Sequence, residues 1–393
     1  MFETKYDVIV VGGGPAGSMA ALKAAEGGAS VCIMEKDRDI GYPVRCGEAI
    51  GELGLKQFVD IRPNWIAATI TEFRLISPNG TKIDTEFSGQ KGFILHRRIF
   101  DYDLCTMAAD AGADVFTKAY VNGLIIENDI VCGIKVNHLG DQKNIYSKIV
   151  IAADGLESRV GRWAGLRTQI RMKDMESCMQ YTVANVPLKE NRIDFYVGQE
   201  YAPGGYLWVF PKGPTTANIG MGISGAYSKD VNPKKLLDKF MEKNYPDVSI
   251  LTSMCGGVPC AKPMKDAVRN GVILVGDAGH QVNPMTGGGI VSAMKGGSIG
   301  GTVAAESIKK SDYSKSFLDK YNSILKKDFG DTHNRFYKIK EVISALTDDD
   351  LDGIAKKVSK IPEGDRTLTQ IFKACVMKKP SLIFDVVKVF AGV

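Results

Sequence analysis

The glycine run at residues 12–17 is the feature that most constrains what this chain can fold into. Its sequence, GGGPAG, satisfies the spacing G-x-G-x-x-G and separates an apolar strand pattern at residues 6–11 from an Ala-rich helix pattern at residues 15–27. In such a unit the first glycine permits the tight turn, the second lets a pyrophosphate approach the backbone, and the third lets helix and strand pack closely. These positions are Gly12, Gly14 and Gly17. The chain is therefore expected to open with a βαβ unit that holds a dinucleotide at a helix N-terminus.

An acidic residue completes this opening unit. A second strand pattern at residues 29–34 ends at Glu35, which is placed to accept a hydrogen bond from a ribose 2′-hydroxyl. A later run at residues 220–225 matches the same glycine spacing, but no helix pattern opens there before Pro233. We interpret that run as a glycine-rich strand. The sequence thus predicts one tightly held dinucleotide, so a nicotinamide donor would bind transiently or be replaced by another electron source.

Three further segments indicate that the dinucleotide is FAD. Asp277 follows a buried strand pattern at residues 271–275, where its carboxylate can bind ribityl hydroxyls. Residues 284–290 then open a helix, and the amides at its start can face the pyrophosphate or the flavin ring; they belong to Gly288, Gly289 and Ile290. Asp154, after a third strand pattern at residues 148–153, begins the last segment. The order and spacing of these segments together favour a flavin site.

The order of strand and helix patterns along the chain predicts an α/β fold with a discontinuous cofactor domain. Helix patterns at residues 98–111 and 290–308 belong with the opening unit. The intervening strand patterns are separated by turn residues, as is typical of an antiparallel sheet, and lie at residues 178–186, 193–198, 205–210 and 216–224. We predict three parts: a Rossmann-like FAD-binding domain of residues 1–60, 90–170 and 265–310, an inserted antiparallel β-rich substrate domain of residues 61–89 and 171–264, and a helical C-terminal region of residues 311–393.

The composition is that of an ordinary folded enzyme. The chain has 393 residues, of which 44% are hydrophobic, and its net charge is +5. It has no basic tract of the kind that nucleic-acid-binding proteins carry, so no nucleic-acid partner is expected. No secretory signal and no apolar run of about 20 residues is visible, which predicts a cytoplasmic protein that can at most touch the inner face of the membrane. The eight scattered cysteines are expected to be reduced, although Cys255 and Cys260 could meet across a turn as a redox pair.

Residues 206–211, YLWVFP, carry information about the substrate. In a strand, side chains alternate between faces, so Tyr206, Trp208 and Phe210 point to one side and form a broad apolar wall. For a strand considered alone, such a wall is core packing. In a chain that also carries a flavin site, the wall is expected to face the cofactor, and the substrate is expected to be long and apolar.

The motifs together resemble a known family. Asp154-Gly155 and Gly276-Asp277 are similar to the marks of FAD-dependent hydroxylases with the para-hydroxybenzoate hydroxylase fold. Within that superfamily, residues 43–48, 205–212 and 284–290 resemble geranylgeranyl reductases, especially archaeal digeranylgeranylglycerophospholipid reductases. The resemblance covers residues 5 to 310 well and the helical tail only loosely. Val291 stands where the hydroxylase branch usually has Asn, a departure that favours the reductase.

The resemblance implies a set of flavin contacts and a prenylated lipid as substrate. Beyond the three glycines of the opening run, the predicted contacts are Ala16, Glu35, Arg45, Cys46, Gly47, Ala49, Arg97, Val121, Asp277, Gly288, Gly289 and Ile290. The electron donor is expected to be NAD(P)H binding transiently or a ferredoxin-type protein. No metal is expected, because no group of His, Cys, Asp and Glu has ligand spacing.

Cys46 is the candidate catalytic residue. It adjoins Arg45 among glycines, so a partly accessible thiol is expected, with a neighbouring cation that favours its thiolate. In the family this cysteine is implicated in catalysis; alternatively it is a small residue that packs against the flavin ring. Our hypothesis is that hydride from reduced FAD adds to the branched alkene carbon while Cys46, or a water beside it, protonates the neighbouring carbon. Tyr206 and Trp208 would stabilise the developing cation.

Two other functions and two other features stay open at this point. The chain could be a flavin monooxygenase of the same superfamily, or a prenyl-binding protein without redox chemistry, like Rab escort proteins and GDP-dissociation inhibitors. His280 is interpreted as a loop residue bonded to backbone rather than a proton donor. In the tail, one helical face can cover the lipid cavity, rest on a membrane or pack on the core; its residues are Leu382, Ile383, Val386, Val387 and Phe390.

Overall fold

The structure is a computed structural model that describes residues 3–87, 89–377 and 379–390. Its strands, numbered along the chain, are β1 (Lys5–Val11), β2 (Val31–Met34), β3 (Ala49–Gly51), β4 (Ile66–Ile70), β5 (Glu72–Ile76), β6 (Lys82–Glu86), β7 (Gly92–Leu95), β8 (Asp114–Phe116), β9 (Ala119–Glu127), β10 (Ile130–His138), β11 (Asp141–Ala152), β12 (Met175–Ala184), β13 (Arg192–Val197), β14 (Tyr206–Pro211), β15 (Thr216–Ser224), β16 (Ser249–Pro259), β17 (Val268–Arg269) and β18 (Val272–Leu274). Its helices are α1 (Pro15–Glu26), α2 (Glu52–Leu55), α3 (Arg97–Asp110), α4 (Arg159–Trp163), α5 (Pro233–Asn244), α6 (Ile290–Lys310), α7 (Lys315–Leu325), α8 (Asp331–Ile343), α9 (Asp348–Val358), α10 (Leu368–Cys375) and α11 (Ile383–Phe390).

A largely parallel sheet organises the first part of the molecule. Its strand order is β17-β18-β11-β1-β2-β8, and β9 and β10 extend it from β11 as an antiparallel meander. Strand β1 pairs in parallel with both β2 and β11, and β11 pairs in parallel with β18. Because parallel strands present their carboxyl ends at one edge, the segments that follow β1, β2, β11 and β18 meet there. All four candidate phosphate- and ribose-binding segments therefore lie at the same edge.

Close helix packing holds this edge together. Helix α6 crosses α1 so closely that a Cβ built on Gly297 would lie 2.1 Å from the Ala16 carbonyl oxygen. A Cβ on Gly301 would lie 2.2 Å from the Ala20 carbonyl oxygen in the same way. The glycines that gave α6 its low helix propensity are thus required by the backbone contact with α1.

A second sheet carries the aromatic strand. Its order is β16-β12-β15-β14-β13-β5-β6, and all neighbours are antiparallel except β13 and β5. Five of the six pairings in this sheet are therefore antiparallel, as predicted, and the β13–β5 pairing is parallel. One face packs against α5 through a core that includes Leu207 and Phe240, and the other carries Trp208 and Phe210. The small sheet β3-β7-β4 joins the two larger ones. The boundaries of the three predicted parts stay a prediction.

Several elements differ from the sequence-based expectation. Strand β11 begins at Asp141 rather than near Lys148, because its first half pairs with β10 outside the parallel core. Strands β9, β10 and β16 and helix α5 were not predicted. Most side chains of β16 are exposed, so it lacks the apolar pattern by which a strand is found. Helix α5, in contrast, carries a readable start signal, since Asn232 caps it and Pro233 is its first residue.

The C-terminal region is helical, as expected. A capping box formed by Thr347 and Asp350 begins α9. The predicted apolar face of the tail is only partly correct, because Leu382, Val386 and Phe390 pack inward while Ile383 and Val387 are exposed. Residues 391–393, the end of this predicted region, lie outside the described residues, as do Ser88 and Lys378. Within the described ranges, no helix combines the length and apolarity needed to cross a bilayer.

Candidate active site

The glycine run forms a tight turn with one open side. Gly12 has a φ of +103°, and a Cβ there would lie 2.4 Å from the Ala153 carbonyl oxygen. A Cβ on Gly17 would lie 1.9 Å from the carbonyl oxygen of Gly12. A Cβ on Gly14, in contrast, would meet nothing within 4 Å. Two of the three glycines are therefore required by the protein's own packing, and the third leaves free space beside the first turn of α1, where a phosphate group fits.

Glu35 ties the end of β2 to this turn. One carboxylate oxygen accepts a 2.8 Å hydrogen bond from the Gly13 amide, and the other accepts one from the Asp37 amide at 2.8 Å. The Ala119 amide donates to the Glu35 carbonyl at 2.8 Å, which brings the start of β9 and the buried Val121 beside the same turn. The structure thus brings together Glu35, Val121 and the glycine run. Their roles in cofactor binding stay predictions.

Asp277 and Asp154 have carboxylate oxygens that the described residues leave unsatisfied. Asp277 accepts no side-chain hydrogen bond from them, and burial raises the pKa of its carboxyl to about 6, although Arg97 acts in the opposite direction. One oxygen of Asp154 is buried without a partner, while the other accepts from the Val160 amide at 3.0 Å. An unsatisfied buried acceptor such as that of Asp154 is rare in native proteins, and the carboxylate of the half-buried Asp277 can accept hydrogen bonds as well. Hydroxyl groups of a polyol chain or a ribose would satisfy them, so the site fits FAD.

The start of α6 lies next to Asp277. A Cβ on Gly289 would lie 3.5 Å from the Asp277 carboxylate, and a Cβ on Gly276 would lie 2.8 Å from the Ala16 side chain. Ile290, the first residue of α6, is buried. The predicted contacts from three distant segments, including Gly288, therefore converge on one edge of the parallel sheet.

Arg97 lies near both Cys46 and Asp277, since its charge opposes the effect of burial on the pKa of each. Arg97 forms a bidentate, buried ion pair with Asp101, with both nitrogen–oxygen distances at 2.7 Å. The Cys46 sulfur accepts a hydrogen bond from the Glu48 amide at 3.2 Å. Burial raises the pKa of the Cys46 thiol, and the nearby Arg97 offsets this only in part. The expectation of a thiolate was therefore wrong, because Arg45 is exposed and desolvation outweighs the charge of Arg97.

The aromatic residues of β14 share one face, as predicted. Trp208 stacks on Phe210 with ring centroids 6.1 Å apart, and Tyr206 meets Trp208 edge-on at 5.8 Å. A Cβ on Gly47 would lie 3.0 Å from the Phe210 ring, so the loop that carries Cys46 lies directly against the aromatic wall. The Tyr206 hydroxyl donates to the Thr286 carbonyl in the loop before α6. The wall thus contacts two of the segments predicted to hold the flavin, the Cys46 loop and the loop before α6. Ala49, a predicted flavin contact that follows the Cys46 loop, is exposed at the start of β3.

The second glycine motif is a strand, as interpreted from the sequence. Gly220 and Gly222 lie in β15 opposite Trp208 and Tyr206. A Cβ on Gly220 would lie 2.6 Å from the Trp208 ring. Gly220 is therefore needed so that the indole can lie across the sheet.

A buried polar network fixes the Cys46 loop, and sequence reasoning missed it. Glu48 is 4% exposed with a φ of +73°, and its carboxylate accepts from the Arg97 amide at 3.0 Å and from the Asn218 amide group at 2.6 Å. Lys212 forms an ion pair with the same carboxylate and also donates to the Leu95 carbonyl. Both Glu48 and Lys212 lie inside the segments on which the family resemblance rests. That position was the one feature of the sequence that could have indicated their importance.

Gln180 links the wall to the loop and was also missed. Its side-chain amide donates to the Cys46 carbonyl at 3.1 Å, and its carbonyl oxygen accepts from the Trp208 indole at 3.0 Å. The backbone of Cys46 and the ring of Trp208 are therefore held by one side chain.

Two other sequence expectations have clear outcomes. The His280 ring makes a 3.0 Å hydrogen bond to the Thr168 carbonyl and is buried, so it is a backbone-bonded loop residue, as interpreted. The possible pair of Cys255 and Cys260 is not formed. Cys255 is exposed on the extended strand β16 and Cys260 is buried just beyond its end, so the two cannot approach to disulfide distance.

Glu176 is a buried carboxyl group near the wall. It lies on β12 two residues before Cys178, one of its oxygens has no hydrogen-bond partner, and the Lys340 ammonium lies 3.8 Å from the other. Burial raises the pKa of Glu176 to about 7 from an ordinary value of 4.5, although Lys340 acts in the opposite direction. This carboxyl is therefore largely protonated in mildly acidic solution.

We predict that Glu176→Gln changes how stability depends on pH. The folded wild type binds one more proton than the unfolded chain between the two pKa values, so its free energy of unfolding falls as pH rises through that window. The fall attributable to this group is at most about 3 kcal/mol. Urea unfolding at about pH 5 and about pH 8 should show that the variant lacks this decrease. Glu341→Gln, at an exposed ion pair with Lys173, is the control. If the free energy of unfolding decreased equally between the two pH values in Glu176→Gln and in Glu341→Gln, the prediction would be contradicted.

Comparisons with known proteins identify the family and the cofactor. The sequence model for FAD dependent oxidoreductases matches residues 7–214, and the model for the geranylgeranyl reductase catalytic domain matches residues 174–258. The digeranylgeranylglycerophospholipid reductase of Methanocella arvoryzae is 42% identical over 388 residues, which cover 98% of this chain and 99% of that protein. Digeranylgeranylglycerophospholipid reductase 2 of Methanococcoides burtonii is 43% identical over 391 residues, covering 99% of this chain and 96% of that protein.

Solved structures give the same result for the fold. A geranylgeranyl bacteriochlorophyll reductase-like protein from Thermoplasma acidophilum superposes with a TM-score of 0.91 at 36% identity, over 98% of this chain and 99% of that one. The flavin-dependent brominase Bmp2 superposes with a TM-score of 0.68 at 20% identity, which is a likeness of fold alone. The predicted fold class, the FAD cofactor and the family resemblance are confirmed. The chain belongs to the digeranylgeranylglycerophospholipid reductase family of FAD-dependent oxidoreductases.

Proposed function

We propose that this protein saturates carbon–carbon double bonds in the geranylgeranyl chains of a glycerophospholipid, with FAD as the cofactor. The observation that carries the proposal is the contact of the aromatic wall with the flavin segments. Tyr206 is hydrogen-bonded to the loop before α6, and Phe210 packs against Gly47 in the Cys46 loop. The names of the relatives support the same substrate class.

The wall suits an isolated alkene. Such an alkene has no polar group to bind, so its position must be set by apolar contact. Trp208 is 9% exposed and Phe210 is 5% exposed; the two rings stack on each other, and Phe195 meets the Phe210 ring edge-on. Electron-rich ring faces also stabilise positive charge that develops on a branched carbon when the double bond is protonated.

Cys46 is the proposed proton donor. Reduced FAD, when bound, supplies the hydride for such a reaction. The chain's own contribution is a thiol whose pKa is raised by burial, so that the proton is present on sulfur at neutral pH. Gln180 holds the Cys46 backbone, and the Glu48 amide holds its sulfur, so the proton is presented from a fixed position.

The test uses purified holoenzyme, reduced anaerobically with dithionite and given digeranylgeranylglycerophospholipid. We expect mass spectrometry to show a gain of two hydrogens for each double bond saturated. In the same assay Cys46→Ser should slow a single turnover about a hundredfold, because a serine hydroxyl is a much weaker acid. Cys132→Ser, at a half-buried thiol in β10, is the control. Unchanged lipid would contradict the proposed function, and an unchanged rate in Cys46→Ser would contradict the acid role alone.

Electron supply is proposed to come from NAD(P)H that binds transiently or from a ferredoxin-type protein. Within the described residues, the glycine run of residues 12–17 forms a strand–turn–helix unit of the kind that binds phosphate, whereas the second glycine motif is a strand. This supports a donor that does not occupy a second site of that kind. Rates of flavin reduction measured separately with NADPH, NADH and reduced ferredoxin decide between the two donors.

A peripheral contact with the membrane is proposed for helix α11. Ile383, Phe384 and Val387 are exposed on it, and the Lys388 ammonium lies 4.5 Å from the Phe384 ring centroid. Apolar residues flanked by a cation are typical of helices that lie in the headgroup region. We expect the protein to float with vesicles that contain anionic lipid, and Phe384→Asp to reduce that binding about tenfold. Equal flotation of both proteins would contradict this contact.

A further inference from the structure

A basic cleft lies outside the site described above. It has a volume of about 480 Å³ and is lined by side chains from residues 165–171 and 261–269, together with Asp174 and His280. We name it the basic cleft. None of the predicted flavin contacts and none of the wall residues line it. Its function is therefore separate from the dinucleotide site.

Positive charge dominates the lining. Five cationic side chains face two carboxylates there; the cations are Arg167, Arg171, Lys262, Lys265 and Arg269. Both carboxylates are already bound, since Asp174 pairs with Arg171 at 2.8 Å and Asp266 pairs with Arg269 at 2.7 Å. The cleft thus concentrates a surplus of three positive charges (five minus two), while the whole chain carries a net charge of +5.

Three of these cations have no carboxylate of their own. The Lys262 ammonium lies 5.0 Å from the Tyr337 ring centroid, and Arg167 and Lys265 form no ion pair or side-chain hydrogen bond with any residue that the structure describes. Cations gathered in a concavity repel each other and raise the local concentration of anions. Arginine and lysine together are the side chains with which proteins bind phosphate, the first through its planar fork and the second as a point charge.

The cleft lies close to the candidate active site. Ala261 lines the cleft and directly follows Cys260, whose carbonyl accepts from Lys340 at 2.9 Å. Lys340 also lies 4.0 Å from Asp174 in the cleft and 3.8 Å from Glu176 on the wall side. Lys340 thus contacts both regions. Asp174 directly precedes β12, and Gln180, the partner of Trp208, lies six residues further along, so the cleft and the wall are about 20 Å apart along this strand, which is within the length of an extended geranylgeranyl chain.

We propose that the basic cleft binds a phosphate group, and that this phosphate belongs to the headgroup of the lipid substrate. The proposal rests on the proposed function. Binding the headgroup here would fix the distance between the phosphate and the double bond that reaches the wall. It would also distinguish phospholipids from free prenyl alcohols of the same chain length. A pyridine dinucleotide carries the same phosphate chemistry and is the rival source.

The test compares a phospholipid with a neutral alcohol. Oxidised holoenzyme is titrated calorimetrically with digeranylgeranylglyceryl phosphate and with geranylgeraniol, for wild type and for Arg167→Gln/Lys265→Gln. Neither replaced side chain holds an ion pair in the described part of the chain, so the fold should be unaffected. We expect the variant to bind the phospholipid about tenfold or more weakly and the alcohol with unchanged affinity. Lys235→Gln/Lys239→Gln on α5 removes two exposed cations elsewhere and should change neither.

Other outcomes would overturn the proposal. Equal weakening for both lipids would indicate a structural effect, and unchanged phospholipid binding would exclude the headgroup. If the variant changes only the KM for NADPH in flavin reduction, the phosphate is that of the dinucleotide. Failure of the proposed function is distinguishable, because it appears as wild-type enzyme that leaves the lipid unsaturated, whatever the cleft variant does to binding.

Discussion

The buried ion pair of Glu48 and Lys212 is the interaction on which the arrangement of the site depends. It joins the Cys46 loop, which precedes β3, to the end of β14, which carries the aromatic wall. Burying two charges is costly, and a pair of this kind is stable only when further hydrogen bonds satisfy both groups. Here the Arg97 amide and Asn218 satisfy the carboxylate, and the Leu95 carbonyl satisfies the ammonium. Together with Gln180, which bonds the Cys46 carbonyl, this network holds the loop where Gly47 packs against Phe210.

Burial disfavours the charged forms of the other acidic groups around the wall. The pKa values of Cys46, Cys178 and Tyr206 are all raised, with desolvation as the largest cause, and the pKa of Glu176 is raised to about 7. The fixed charges beside Cys46, Glu48 with Lys212 and Arg97 with Asp101, are held in ion pairs of their own. A region of this kind suits a reaction in which charge develops on an apolar substrate only briefly. The same region can hold a proton on sulfur until it is needed.

Features set by short stretches of chain were predictable from the sequence. The strand–turn–helix unit, Glu35 at the end of β2 and the single face shared by Tyr206, Trp208 and Phe210 follow from periodicity and spacing. Features set by distant partners were not. Glu48 meets Lys212 and Asn218 at separations of 164 and 170 residues, and the ionisation of Cys46 depends on how deeply folding buries it. The edge strand β16 was missed because exposed strands have no apolar pattern.

The most direct test of this account measures lipid saturation when the Glu48–Lys212 pair is removed. Lys212→Met leaves a buried carboxylate, so Glu48→Gln/Lys212→Met is included as a neutral pair that preserves the fold. We predict that the double variant keeps its FAD and its thermal stability, while a single turnover of dithionite-reduced enzyme slows by about a hundredfold, because the loop is no longer fixed against the wall. A double variant that holds FAD and saturates the lipid at the wild-type rate would contradict the account.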